Sequence, residues 1–328
     1  MINPVLQALR SELQSPAKTG RKLNILCMPT HEGYQSMLAN TGHNFYMLKD
    51  LTKNWDYHTR PLPPNHYLIK LHEGSYRFDF GIDLVLSQER LTQLPFLTNI
   101  ARQIKVPIIH LEHTEPRPEW TPKQRQRMDS VRADRHIYIT EFNKNSWNDP
   151  AGTVIYHGID TDLFKPLGLS REKCGVSVVN LFPQRDVFCG WELWQQIATQ
   201  VPMKLYGYNP GLSESINNPV VLNEKLNQCS FFLNTSQLSP IPLSLLEAAA
   251  AGMPIVTTAN QDVPKVFTNE VNCFMSNDPN ELVRYCQELL ENTSTREKLG
   301  WAARNMIETK YSMGKFVDSW NATFMEMV

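Results

Sequence analysis

A chain of 328 residues, 41% hydrophobic and 20% charged, is too long for one ordinary core and too apolar for a disordered polymer. It suits two α/β domains of roughly 150 residues each. A formal net charge of −1 is not that of a strong nucleic-acid binder, and six cysteines without a C-x-x-C spacing supply neither a zinc site nor a disulfide framework.

Residues 1–13 read as a short amphipathic helix carrying Val5, Leu6, Leu9 and Leu13. It lacks the apolar stretch and small-residue cleavage site of a signal peptide, and no apolar run approaches the ~18–20 residues of a membrane span. A cytoplasmic location is therefore expected. Short apolar runs at 23–28, 45–48, 67–71, 84–86, 107–111, 136–139 and 153–156 predict strands. Helical patterns lie between them, clearest at 89–104 and 121–132. Strands alternating with helices imply a parallel sheet covered on both faces, whose strands read as unbroken apolar runs.

Gly158, Asp160, Asp162 and Pro166 punctuate the following stretch, which predicts a connector over 158–168. A second α/β pattern follows. It predicts strands at 176–181, 203–206, 220–222, 231–233 and 255–257, with helices from Trp191 and over 243–251. Three helical stretches close the chain near 280–291, 295–310 and 313–326. The expected organisation is an N-terminal domain over 1–157, the connector, and a second domain over 169–311, with the last helix, 312–328, crossing back onto the first. Charge is unevenly spread, with 19 Lys and Arg against 15 Asp and Glu in residues 1–157 and 13 against 18 in the remainder. All nine histidines fall in the first part. The densest basic stretch, from Arg117 to Arg135, fits a solvated helix face.

Four blocks in order resemble the family 4 retaining glycosyltransferases. Ala133-Asp-Arg-His-Ile-Tyr-Ile-Thr140 resembles that family's A-D-x-hydrophobic-S/T strand. Val154-Ile-Tyr-His-Gly-Ile-Asp-Thr-Asp-Leu-Phe-Lys-Pro166 is similar to its interdomain block. Leu245-Leu-Glu-Ala-Ala-Ala-Ala-Gly-Met-Pro-Ile-Val256 resembles L-E-A-M-A-x-G-x-P-V-V, and Val271-Asn-Cys-Phe followed by Asn277-Asp-Pro resembles the next strand and helix start. The resemblance runs from about residue 80 onward. It implies the GT-B fold, two Rossmann-like α/β domains with a donor/acceptor cleft between them, and a nucleotide-sugar donor, UDP- or GDP-linked.

The resemblance carries site residues with it. Glu247 aligns with the glutamate that holds the donor ribose, so both carboxylate oxygens would face a vicinal diol. Its helix opens after Ser239-Pro-Ile-Pro-Leu-Ser, with proline near the first position and Gly252 past the end. The helix start would turn N–H groups and its positive dipole end toward a diphosphate. Ile241, Pro242, Leu243 and Ser244 are expected along this donor wall. The family supplies an arginine and a lysine from the loop over 180–190 to meet leaving-group charge. Here Arg185 fills the first role and Cys189 stands at the lysine position. Ser239 stands where the family has the first glutamate of E-x7-E, and a serine keeps one donor and one acceptor. His113 maps onto the family histidine beside the donor sugar, and Gly33 onto the loop after the first strand, with His31 a weaker candidate. A surface role for Glu247 or Arg185, and a structural histidine at 113, are the plain alternatives.

Asp160-Thr-Asp162 has the form of a metal-binding D-x-D, but its place in the connector favours turn capping. His110 with Glu112 or His113 finds no third ligand at recognisable spacing, so no metal and no other cofactor is expected. No G-x-G-x-x-G follows a strand, which removes a dinucleotide cradle. The expected activity is retaining, metal-independent transfer to an acceptor the residues do not identify: a polysaccharide, a lipid-linked sugar, a protein or a modified DNA base. A non-catalytic nucleotide-sugar-binding protein, or an epimerase or hydrolase on the same scaffold, are the competing functions.

Overall fold

The computed structural model describes residues 21–49, 54–70, 78 and 80–328. The expected helix at 1–13, and Leu71 at the end of one expected strand, lie outside the described residues. The chain divides into two compact units. The first takes in residues up to Asp56, Leu62–Tyr156 and Gly314–Val328; the second takes in Tyr57–Pro61 and His157–Met313.

In the first unit β1 (Asn24–Cys27), β2 (Asn44–Leu48), β3 (His66–Ile69), β4 (Leu84–Ser87), β5 (Ile108–Glu112), β6 (Arg135–Tyr138) and β7 (Thr153–Val154) form one parallel sheet. Its order is β3-β2-β1-β4-β5-β6-β7. Every residue of β4 and β5 is buried, as a sheet covered on both faces demands. Helices α1 (Glu32–Leu38), α2 (Gln93–Ile104), α3 (Pro122–Asp129) and α4 (Glu141–Ser146) alternate with the strands. On α2, Leu94, Leu97, Ile100 and Ala101 make one helical face, and all four are buried against β1 and β4. Thr121 caps α3 in a reciprocal capping box with Gln124, and Pro122 takes the first helical position. No residue of α3 is buried, so the middle of the basic stretch is a solvated helix.

The second unit holds β8 (Glu172–Val178), α5 (Asp186–Cys189), α6 (Trp191–Ala198), β9 (Met203–Tyr206), α7 (Pro219–Asn227), β10 (Cys229–Asn234), α8 (Leu243–Ala250), β11 (Ile255–Thr257), α9 (Val263–Val266), β12 (Phe274–Met275), α10 (Pro279–Glu291) and α11 (Thr293–Lys310). Its strands are all parallel, in the order β12-β11-β10-β8-β9. The strand expected at 220–222 is instead the first turn of α7. Asn218 accepts from the Val220 N–H at 2.9 Å and Pro219 occupies the first helical position, a start signal that outweighs a three-residue apolar run. The buried face of α7 then presents Asn223 and Asn227 to the connector, where they accept from Lys165 N–H at 3.2 Å and Leu167 N–H at 2.9 Å. Asp160 closes its own turn, accepting from the Asp162 and Leu163 N–H groups at 3.0 Å each. Arg304 on α11 ties the connector to α8, donating to the carbonyls of Phe164 (3.0 Å), Thr161 (3.2 Å) and Ala250.

The last helix, α12 (Met313–Met327), groups with the first unit from Gly314 onward. Phe316, Trp320 and Phe324, four residues apart, are buried, and Trp320 Nε1 donates to the Tyr34 hydroxyl at 3.0 Å.

Both sheets contain a point where strand order reverses, between β1 and β4 in the first and between β8 and β10 in the second. In open α/β sheets ligands bind outside the carboxyl ends of strands at such points.

Candidate donor site

Beyond the ends of β1, β4 and β5, the first unit gathers a polar cluster. The chain leaves β1 through His31, which adopts the left-handed conformation (φ 51°) and opens α1. Gly33 is not the turn residue. It lies inside the first turn of α1, beyond the loop on which it was expected, and the bend before that helix is made by His31. The His31 ring lies 4.0 Å, centroid to centroid, from His113, and Tyr34 meets the other side of His113 edge-on at 4.9 Å.

The hydrogen-bond network behind His113 has one polarity. Asn65 Nδ2 donates to the carbonyls of Ala39 (2.9 Å) and His43 (2.8 Å), which fixes its Oδ1 as acceptor toward His66 Nδ1 at 3.0 Å. His66 Nε2 must then accept from Gln35 Nε2 at 2.8 Å. Gln35 Oε1 in turn accepts from Gln88 Nε2, and that leaves Gln88 Oε1 to accept from His113 Nε2 at 3.2 Å. Backbone carbonyls in the interior thus fix His113 as the tautomer protonated on Nε2.

His110 and Glu112 form a different group. Glu112 takes Arg90 Nε at 2.6 Å and His110 Nε2 at 3.2 Å, all three buried. Burial pushes the Glu112 carboxyl up, but His110 and Arg90 more than offset it and hold it at about 2. Burial keeps His110 below its ordinary value despite Glu112. Arg90 also stacks over the Trp147 ring at 3.9 Å. This is an internal ion pair of the core. Among the described residues no three His, Cys, Asp or Glu side chains are gathered closely enough to hold a metal ion.

In the second unit the loop after β8 is set by two asparagines. Asn209 Oδ1 accepts from the Phe182 N–H at 2.6 Å and its Nδ2 donates to the Val179 carbonyl at 2.8 Å. Asn180 Oδ1 accepts from the Tyr208 N–H at 2.8 Å. Arg185 ends the short turn over Pro183–Arg185, exposed to solvent, with Nη1 3.5 Å from the Asn180 carbonyl. Cys189 is buried and its thiol is pushed up by that burial, so this position carries no positive charge. Gly190 follows at φ 72°; a Cβ there would stand 2.1 Å from the Thr235 carbonyl oxygen, so only glycine lets this loop close onto the end of β10.

The segment after β10 brings the remaining candidates together. Asn260 Nδ2 donates to the carbonyl of Ser239 at 2.8 Å, and the Asp262 N–H to that of Pro240 at 3.3 Å. Asn260 Oδ1 and Asp262 Oδ2, beside this segment, are buried without a hydrogen-bond partner. Ser239, Pro242, Leu243 and Ser244 are partly exposed, whereas the Ile241 side chain is 3% exposed and belongs to the core. Only the backbone of Ile241 can therefore face a ligand. The first intrahelical bond of α8 runs from the Leu246 N–H to the Pro242 carbonyl at 3.4 Å, so the N–H groups of Leu243, Ser244 and Leu245 precede it.

Glu247 lies one turn further on, 6% exposed. Its Oε1 accepts from Arg60 Nη2 at 2.7 Å, across 187 residues of sequence. Burial raises the Glu247 carboxyl and Arg60 pulls it back. Arg60 arrives on the five-residue segment Tyr57–Pro61, which groups with the second unit. Thr59 Oγ1 accepts from Asn180 Nδ2 at 3.0 Å, the His58 ring stacks on Tyr208 at 4.2 Å and 14°, and Asn217 Nδ2 donates to the Tyr57 carbonyl at 2.8 Å. Sequence reasoning missed Arg60, Asn180 and Asn209. The asparagines stand after strands, where such residues also mark ordinary loops. Arg60 has no local signal at all.

Residues 216–306, wholly within the second unit, match the family model described as "Glycosyl transferases group 1". Over that region the chain resembles the glycosyltransferases of group 1. The matched region contains β10, α8 and Glu247, together with the Ser239–Ser244 segment. Solved structures agree on the fold. HepE of Anabaena, in a structure described as a complex with UDP and glucose, matches with a TM-score of 0.74 at 12% identity, over 93% of this chain and 100% of that one. Sucrose-phosphate synthase from Thermosynechococcus elongatus matches at 0.71 and 15% identity, over 93% and 99%. WaaG, described as a glycosyltransferase involved in lipopolysaccharide biosynthesis, matches at 0.65 and 11%, over 92% and 99%. The fold is GT-B, two Rossmann-like units with parallel sheets. No curated protein matches the chain significantly. No helix among the described residues is long and apolar enough to cross a membrane.

Proposed function

We propose that the chain is a glycosyltransferase that moves a sugar from a nucleotide-sugar donor, UDP- or GDP-linked, to an acceptor with retention of configuration and without a metal ion. The observation that carries the reading is Glu247: a buried carboxylate in the second turn of the helix that follows the switch-point strand, inside the region matched to the family. A buried carboxylate there can take both hydroxyls of a ribose. The donor-bound HepE structures, described with UDP, with UDP and glucose and with UDP-glucose, share this fold and support the donor class.

In this reading the helix start at Leu243 and Ser244, with the Ile241 and Leu243 backbone and Pro242 as wall, faces the diphosphate, and Arg185 meets charge developing on the departing oxygen. Ser239 offers the donor sugar a hydroxyl, and Asn260 and Asp262 beside it have unused acceptor atoms. His113, protonated on Nε2 toward Gln88, is assigned to the donor sugar, with Gly33 on α1 in the same part of the first unit. The departing phosphate oxygen takes the acceptor proton, so no separate base is assigned.

A competing reading, a nucleotide-sugar-binding protein without turnover, is favoured by one observation, the neutral buried thiol of Cys189 where a cation would serve the leaving group. A thermal-shift screen of UDP-, GDP-, ADP-, dTDP- and CMP-sugars in EDTA, with Glu247→Ala as control, tests the donor. A ligand at 100 times its dissociation constant stabilises the folded state by about 2.7 kcal/mol. One nucleotide class is expected to stabilise the wild type and not the variant. Equal stabilisation of both would remove Glu247 from the site, and donor binding without turnover on any acceptor class would favour the competitor.

A further inference from the structure

The donor site just described is short of positive charge. A nucleoside diphosphate brings at least two negative charges. Pro240 and Pro242 have no N–H to offer the anion, Cys189 is an uncharged thiol, and Arg185 is the one cation on its loop from Pro183 to Gly190. A second guanidinium nevertheless stands at this site, on a segment from the other end of the chain.

Arg60 is built in on both sides. Its Nη2 donates to Glu247 at 2.7 Å and its Nη1 to the Thr59 carbonyl at 3.0 Å. Thr59 in turn is held by Asn180, the same residue whose carbonyl faces Arg185 Nη1. Asn180, just past the switch-point strand β8, thus meets Arg185 directly and is tied to Arg60 through Thr59. The side chain is only 13% exposed, so its charge is little screened. Burial raises the Glu247 carboxyl, and the charge and hydrogen bond of Arg60 oppose that rise.

A ribose whose two hydroxyls take both oxygens of Glu247 competes with Arg60 for the lone pairs and the space at Oε1. A diol that displaces Arg60 there frees a guanidinium at the moment a diphosphate arrives beside it. We propose that Arg60 is the second diphosphate ligand of this glycosyltransferase, parked on Glu247 in the empty site and turned onto the phosphates when the ribose takes that carboxylate. The exchange couples recognition of the sugar-nucleotide's ribose to placement of the cation that its phosphates need. It replaces, from residue 60, the charge that Cys189 does not provide, and it rests on the donor reading given above.

The test is the increment in affinity that the phosphates contribute. Dissociation constants for uridine, UMP and UDP, or the corresponding guanosine series if that class stabilises the protein, are measured calorimetrically on wild type, Arg60→Gln and Arg60→Lys. Arg60→Gln is expected to cut the ratio of diphosphate to nucleoside affinity at least tenfold while changing nucleoside affinity less than threefold. Arg60→Lys, which keeps the charge and supports the fold, restores part of the ratio. An unchanged ratio in Arg60→Gln overturns the proposal, with the donor reading intact if Glu247→Ala still loses binding. Tighter diphosphate binding by Arg60→Gln also overturns it, since Arg60 would then act as a plug on Glu247. No binding of either series by the wild type ends the donor reading and this inference together.

Discussion

Acidification should unfold the first unit well before its carboxylates titrate. His43, His66 and His136 are buried and uncharged, held by burial at about 4, about 3 and about 4. For His66 the lowering comes from burial, which outweighs the opposing hydrogen bond with Gln35. In the unfolded chain each titrates near 6.5. The folded value lies below the unfolded one, so the unfolded state binds more protons between them. Stability is therefore fully present above about pH 6.5 and is lost as pH falls toward 4. At pH 5 each histidine costs about 2 kcal/mol, and the three together about 6 kcal/mol, comparable with a typical domain's whole stability of 5–15 kcal/mol. Glu112, held at about 2, adds its own loss only below about pH 4.5, a separate window. Urea unfolding followed by fluorescence at pH 7.5, 6.5, 5.5 and 5.0 measures the slope. Hydrogen exchange at pH 5 should locate the loss in β1–β6 rather than in the second unit. Removing His136 should reduce the slope by about a third. A midpoint that stays constant from pH 7 to pH 5 would refute the argument that these rings are buried neutral.

Three other outcomes follow from single contacts. Gly190→Ala forces an alanine into the left-handed region and against the Thr235 carbonyl 2.1 Å away, and should cost about 3 kcal/mol or more in urea unfolding, with donor binding lost in the same variant. Arg304→Ala leaves the carbonyls of Phe164, Thr161 and Ala250 without their shared donor, and should lower stability by about 3 kcal/mol; a change under about 0.5 kcal/mol would show that water replaces it. Gln88→Glu sets a carboxylate against Gln35 Oε1, so Gln35 must turn and present its oxygen to His66 Nε2. The His66 ring should then titrate well above about 3, seen as a shifted imidazole resonance, whereas an unmoved resonance would break the proposed polarity of the network.

Much of the fold was legible because it is written in local patterns. The β4 and β5 runs are apolar throughout because both sheet faces are covered, and α2 repeats its leucines on one face. The Thr121-Pro122 and Asp278-Pro279 starts carry caps that act within three residues. The failure at 220–222 has the same origin: Val220, Val221 and Leu222 have strand composition, but Asn218 and Pro219 already commit the backbone to a helix. In the site, Glu247 and the helix that positions it could be read from one block. Gly33 could be placed just after β1 but not in the first turn of α1, because the bend that opens the helix is made by His31. Cys189 could be seen to lack a charge, and nothing nearby in the sequence says what stands in for it.

The substitute is a contact between residues 187 positions apart, which no local pattern encodes. Its logic is nonetheless physical. A helix start framed by two prolines has fewer N–H groups to give an anion, so the balance must come from side chains. Of the side chains available, arginine is the one that keeps its charge when half-buried, whereas a lysine or a thiol in the place of Cys189 would be neutralised by the same desolvation that raises Glu247. A site built from two guanidiniums and one buried carboxylate therefore has a single titrating member. Its charge state is set at Glu247, by whether Arg60 or a ribose is bound there.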